Sequence, residues 1–129
     1  MKPIEFLELD DVLQIHVDQI SRYGGTTEIR SPELPESAIE QPRSTFAGSF
    51  LHEFPFEMAT AYLFHLVMNH PFVDGNKRTE TVAALVFLDW HGIAFEARSR
   101  ELSDLTLAVT SSTIGKREVA EFFQARCTR

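Results

Sequence analysis

The residues of this chain best suited to chemistry form one run, His70-Pro71-Phe72-Val73-Asp74-Gly75-Asn76-Lys77-Arg78-Thr79. An imidazole, a carboxylate, a glycine, an amide and two adjacent cations lie there between two apolar segments, Phe56 to Met68 and Val82 to Trp90. Pro71 and Gly75 interrupt helical periodicity, so the run reads as helix end, short loop, helix start. Asn76 suits the N-cap of the second helix, which puts Lys77 and Arg78 in its first turn. Cations at that end oppose the helix macrodipole. Their placement makes sense when backbone N–H groups and both cations point at a bound anion. The pattern is that of a phosphate cradle with a base and a metal ligand beside it.

Moving a phosphorus group onto a hydroxyl needs a base, charges that hold the polyphosphate, and in-line geometry. His70 is a base whose ordinary pKa lies near neutrality. Asp74 is a hard oxygen ligand suited to Mg²⁺. Gly75 allows a tight turn and close backbone approach, and Asn76 can fix that turn through its side-chain amide. Lys77 supplies a point charge, whereas the planar fork of Arg78 can grip two phosphate oxygens. Phe72 anchors the loop in the core. The plainer alternative is a charged interhelical turn with solvated cations, which each residue taken singly allows.

The order of residues from His70 to Arg78 resembles the signature of the Fic/Doc family, H-x-F-x-[D/E/N]-[G/A]-N-[G/K]-R. Lys77, where AMP-transferring Fic enzymes carry glycine, is typical of the Doc (death-on-curing) toxin branch. Arg22-Tyr23-Gly24-Gly25 and Leu34 to Gly48 are similar to the same branch. The resemblance implies that His70 activates a target hydroxyl, that Asp74 holds Mg²⁺, and that Gly75, Asn76, Lys77 and Arg78 form the anion hole for ATP. It further implies a toxin of a type II toxin–antitoxin system. Such a toxin passes the γ-phosphate of ATP to a protein, elongation factor Tu, and is neutralised by a cognate antitoxin docked beside the active site. Family members that transfer AMP usually have a further arginine three positions after the motif, where this chain has Thr81. A protein kinase is therefore the expectation, with an AMP transferase (a nucleotidyltransferase) as the alternative. A non-catalytic binding domain is a third reading, opposed by the intact His70, Asp74 and Arg78. The inhibitory pattern of some Fic proteins fits poorly: Ser49 to Glu53 is followed by Phe54, where Gly or Asn belongs.

The chain of 129 residues suits a single Fic/Doc-like domain, residues 1–129. Hydrophobic residues at 43% and charged ones at 24% are ordinary for a soluble globular protein. A net charge of −7 argues against a surface built for nucleic acid, and so against a nuclease. No run reaches the ~18 apolar residues of a membrane span, and the N-terminus has no signal-peptide core. With one cysteine, Cys127, no internal disulfide is possible, which agrees with a reducing cytoplasm.

The elements that must carry the loop follow from periodicity. Asp10 and Asp11 open a helix whose stripe is Val12, Leu13, Ile15, Val17 and Ile20, ended by Gly24-Gly25; His16 within it reads as partly buried or surface. Thr26 to Pro35 reads as loop, and Glu36 to Gln41 as a short helix. Ser44 to Phe54 is either the flap that holds a target peptide in the family or an ordinary surface connection. The helix after Pro55 is apolar on nearly every face, hence central, with His65 at its core or boundary. The second core helix should run from about Lys77 to His91 and stop at Gly92. Ile93 to Glu96 is weakly extended, and two further helices start near Ser99 and Lys116. The fold expected is all-α: a compact Fic/Doc-type bundle of about five to seven helices around a central motif helix pair, with little or no sheet.

Overall fold

The computed structural model describes residues 3–31, 33–69, 71, 76–96 and 99–128 and, at 76, 77, 99 and 128, the backbone alone. Its axis is helix α3 (Phe56–Asn69), in which Met58, Ala59, Ala61, Tyr62, Leu63, Leu66 and Val67 are all buried. A helix apolar all round has no face to give to water, so the other elements must wrap it. Pro55 precedes it and accepts the Ala59 N–H through its carbonyl at 3.0 Å. Helix α4 (Asn76–Trp90) returns along α3. Phe54, just before the start of α3, meets His91, just past the end of α4, with ring centroids 4.9 Å apart, and Tyr62, midway along α3, packs on Phe87 at 5.2 Å. These pairings make the two helices antiparallel and leave the motif link between them at one end. Each such buried aromatic ring contributes roughly 1.5–3 kcal/mol.

Around this pair run α1 (Leu9–Tyr23), α2 (Glu33–Glu40) with a 3₁₀ turn at Gln41–Arg43, α5 (Ser99–Thr110) and α6 (Lys116–Arg126). Six α-helices among the described residues match the expected bundle. Helix α1 carries Asp10 and Asp11 in its first turn, where the macrodipole favours them, and Asp11 accepts the Glu8 N–H at 2.8 Å. Gly24 ends it at φ +90°, its N–H bonded to the Ile20 carbonyl at 2.7 Å. The buried face is Val12, His16, Gln19 and Ile20, whereas Val17, expected in the stripe, stands half exposed. Helix α2 begins at Glu33, earlier than expected. Pro35 falls in its first turn, where a missing N–H costs no intrahelical bond.

Among the described residues the sheet consists of two ribbons. Strands β1 (Thr45–Phe46) and β2 (Ser49–Phe50) form a hairpin, turned by Ala47 and Gly48 at φ 52° and 85°. Two positive φ angles suit the twist of a two-residue hairpin. Strand β3 (Ala94–Phe95) pairs antiparallel with β4 (Cys127–Thr128), fastening the chain's end beside α4. Phe95, Phe122 and Phe123 cluster there with centroids about 6 Å apart. Arg126 ties α6 to α5, donating from Nε and Nη2 to Glu101 Oε2 at 3.0 and 2.6 Å. Cys127 is half-buried, and burial pushes its thiol pKa up, away from nucleophilic use. Among the described residues no helix is long and apolar enough to cross a membrane.

Candidate active site at the link between the two central helices

Of the residues expected to do chemistry, His70, Asp74 and Gly75 lie outside the described residues, as does Phe72, expected to anchor the loop; so do the side chains of Asn76 and Lys77. Helix α4 starts at Asn76, so that residue is helical in backbone rather than the residue before the helix. Arg78 is fully described, and it reports on the site. Its Nη2 donates to the Gly24 carbonyl at 3.3 Å, and its Cζ sits 5.1 Å from the centroid of the Tyr23 ring. Its Nε is shut off from solvent and has no acceptor among the described residues. A donor buried without a partner costs about 1–3 kcal/mol. A phosphate oxygen at the first turn of α4 would satisfy that donor, in the place where a helix N-terminus and cations already favour an anion.

This fits a nucleotide polyphosphate. For a metal, the chemistry of the donors is the guide. No three His, Cys, Asp or Glu side chains gather into a cage among the described residues. A Mg²⁺ ion here would rest on Asp74 and phosphate oxygens, which is how that ion commonly binds beside phosphates.

What frames the link is the connection between α1 and α2. The Arg30 N–H donates to the Pro71 carbonyl at 2.8 Å. Asn69 Nδ2, at the end of α3, donates to the Leu34 carbonyl at 2.9 Å. With the Arg78–Gly24 bond, these contacts tie residues 24, 30 and 34 to Arg78, Pro71 and Asn69. Beneath them, His16 Nδ1 meets Thr79 Oγ1 at 3.0 Å, and both side chains are buried. His16 is thus an interior tie between α1 and the motif helix, and the expectation of a partly buried or surface histidine was wrong. Its signal lay in the spacing Val12–His16–Ile20, which shares one helical face.

The segment Ser44 to Phe54, read as flap or connection, is at the far end. Phe54 packs on His91 and Phe87, with centroids 4.9 and 6.2 Å apart, and Phe50 packs on Phe6 at 5.6 Å. His91 lies just past the end of α4, whose 15 residues span about 22 Å. The hairpin is thus separated from the motif link by the length of the central helices. It is a connection.

A cavity of about 610 Å³ also lies away from the motif, between the start of α3 and α6. Its lining includes His52, Phe54, Thr60 and Lys116. Nearby, Lys116 Nζ donates to His65 Nε2 at 2.8 Å. Burial first, then Lys116 and His52, push the His65 pKa down to about 4, so the ring is neutral and accepts. His65 is a boundary histidine, as its sequence position suggested.

Thr81, in the position that carries arginine in AMP-transferring relatives, is buried and bonded through Oγ1 to Thr106 Oγ1 at 2.7 Å. The position is used to pack α4 on α5. Sequence reasoning passed over the roles of Tyr23, the Gly24 carbonyl and Arg30. The available signal was an aromatic residue directly before the glycine pair that ends α1.

The model of the Fic/DOC family matches residues 6–88. The chain is 33% identical over 113 residues to "Protein kinase doc" of Escherichia phage P1, covering 87% of each chain. It is 36% identical over 93 residues to "Toxin Doc" of Mycolicibacterium smegmatis, covering 72% of this chain and 69% of that protein.

Proposed function

Since this chain belongs to the Fic/DOC family, we propose that it is a Doc-like toxin: a protein kinase that passes the γ-phosphate of ATP to a hydroxyl of a translation factor, elongation factor Tu, and so arrests translation. The observation that carries the reading is the buried Nε of Arg78 at the head of α4, without an acceptor among the described residues, in a chain similar to a phage protein kinase over most of its length. The carboxylate Asp74 would hold Mg²⁺, whose charge when bound offsets that of the phosphate oxygens.

The chain's own groups divide the remaining work. His70 takes the proton of the attacking hydroxyl, a task for which an imidazole is near its ideal pKa range. Gly75 and Asn76 shape the turn so that backbone N–H groups of the first helical turn face the anion. Lys77 adds charge, and Arg78 offers its Nε edge to a phosphate oxygen while Tyr23 and Gly24 hold the rest of the guanidinium. The target peptide would lie against residues 24–31, which run beside Pro71, rather than against the hairpin.

Two features favour γ-phosphate transfer over AMP transfer. Lys77 brings a side chain and a charge where AMP-transferring relatives have glycine. Thr81 is turned into the α4–α5 contact and offers no second guanidinium for a polyphosphate. The protein would be held inactive by a cognate antitoxin. The reading is tested by inducing the wild-type chain and the His70→Ala variant in cells. Growth arrest with loss of translation should appear with the first alone. Arrest by both would remove catalysis at this loop from the toxic activity.

A further inference from the structure

We propose that Tyr23 is a positioning residue for phosphate binding: its ring, with the Gly24 carbonyl, clamps Arg78 so that the Nε edge faces the phosphate. The inference rests on reading the motif link as an anion site and names a residue outside the motif on which that site depends.

An arginine side chain has several rotatable bonds, and an unheld guanidinium loses much rotational freedom when it grips a phosphate. Here the holding is done beforehand. The ring of Tyr23 lies 5.1 Å from Arg78 Cζ, within the range of a cation–π contact. The Gly24 carbonyl takes one Nη2 hydrogen at 3.3 Å. Both come from the last turn and cap of α1, where the chain leaves the helix at a positive φ and the carbonyl of Gly24 is freed from intrahelical use. Helix α1 is itself fixed to α4 by the buried His16–Thr79 bond, one residue beyond Arg78. The clamp is therefore rigidly tied to the helix that bears the arginine.

What is left over is the point of the arrangement. With a face against Tyr23 and Nη2 on Gly24, Nε stays buried and without an acceptor among the described residues. Tyr23 is itself 65% exposed, so its ring is poorly explained as core packing. An exposed aromatic stacked on a motif cation that keeps an unsatisfied donor is better explained by the donor's ligand.

The test uses the full chain, inorganic triphosphate with Mg²⁺ as probe, and the variants Tyr23→Ala and Tyr23→Phe, with melting curves to verify folding. Loss of the stack should weaken triphosphate binding about two- to fivefold in Tyr23→Ala, the range for an exposed cation–π contact. Tyr23→Phe, which keeps the ring, should bind as wild type does. In parallel, the ε N–H proton of Arg78 should resonate upfield in the wild type from ring-current shielding and lose that shift in Tyr23→Ala alone. The shift without a change in affinity would reduce Tyr23 to a structural contact and overturn the proposal. Absence of the shift in the wild type would overturn the clamp itself. No triphosphate binding by the wild type, with the shift intact, would instead remove the anion-site reading and the purpose of the clamp with it.

Discussion

Acidification should destabilise this fold chiefly through His65, whose pKa burial lowers as it does that of His52, and the size of the effect follows from its surroundings. The ring accepts a hydrogen bond from Lys116 at 2.8 Å and has its pKa pushed down to about 4, chiefly by burial. In the unfolded chain the same imidazole titrates near 6.5. Below that value the unfolded state takes up a proton that the folded state refuses, so stability falls as pH drops from about 6.5 toward 4. Between pH 7 and pH 5 the unscreened difference amounts to about 2 kcal/mol. Because His65 is only half-buried, solvent screening brings this to about 1 kcal/mol. The perturbation is His65→Gln, which leaves an acceptor for Lys116 and removes the titration. Urea unfolding at pH 7, 6 and 5 should give a wild-type stability that falls about 1 kcal/mol more than that of the variant. Parallel pH dependences would show that His65 titrates alike in both states, and the account of its burial would be wrong.

Other consequences are equally direct. Tyr62→Phe removes the buried hydroxyl that accepts the Leu7 N–H at 2.8 Å, and chemical denaturation should show a loss of about 1–2 kcal/mol. Phe46 at the hairpin tip is 75% exposed and far from the motif, so Phe46→Ser should change stability by no more than about 0.5 kcal/mol and leave phosphate transfer untouched. A severalfold loss of transfer by that variant would return the hairpin to the active site. Arg30→Pro deletes the N–H bonded to the Pro71 carbonyl and should slow transfer markedly while circular dichroism shows the helices retained. Equal rates for Arg30→Pro and wild type would mean that residues 24–31 do not shape the site.

The helices were legible in the sequence because they depend on local patterns. An apolar run on all faces made α3 central, acids and a glycine pair marked the ends of α1, and Gly92, at φ +74°, marked the end of α4. What escaped was decided by contacts between distant segments. Nothing local to Ser44–Phe54 tells which end of α3 it occupies; the stacking of Phe54 on His91 decides that. The same holds for residues 24–31, which are held by hydrogen bonds from Arg30 to Pro71 and from Arg78 to Gly24, both between segments far apart in the chain. His16 was misjudged because residue type was weighed above its position on the buried face. The start of α2 was set late because two prolines suggested a loop, although a proline in a first turn is harmless.

The central claim is that the loop led by His70 transfers the γ-phosphate to a protein. Its most direct test combines purified chain, Mg²⁺ and purified elongation factor Tu with ATP labelled in parallel at the α or the γ position. Label on the factor from γ-labelled ATP alone, absent with His70→Ala, is the predicted result. Label from α-labelled ATP would contradict it and make the protein a nucleotidyltransferase.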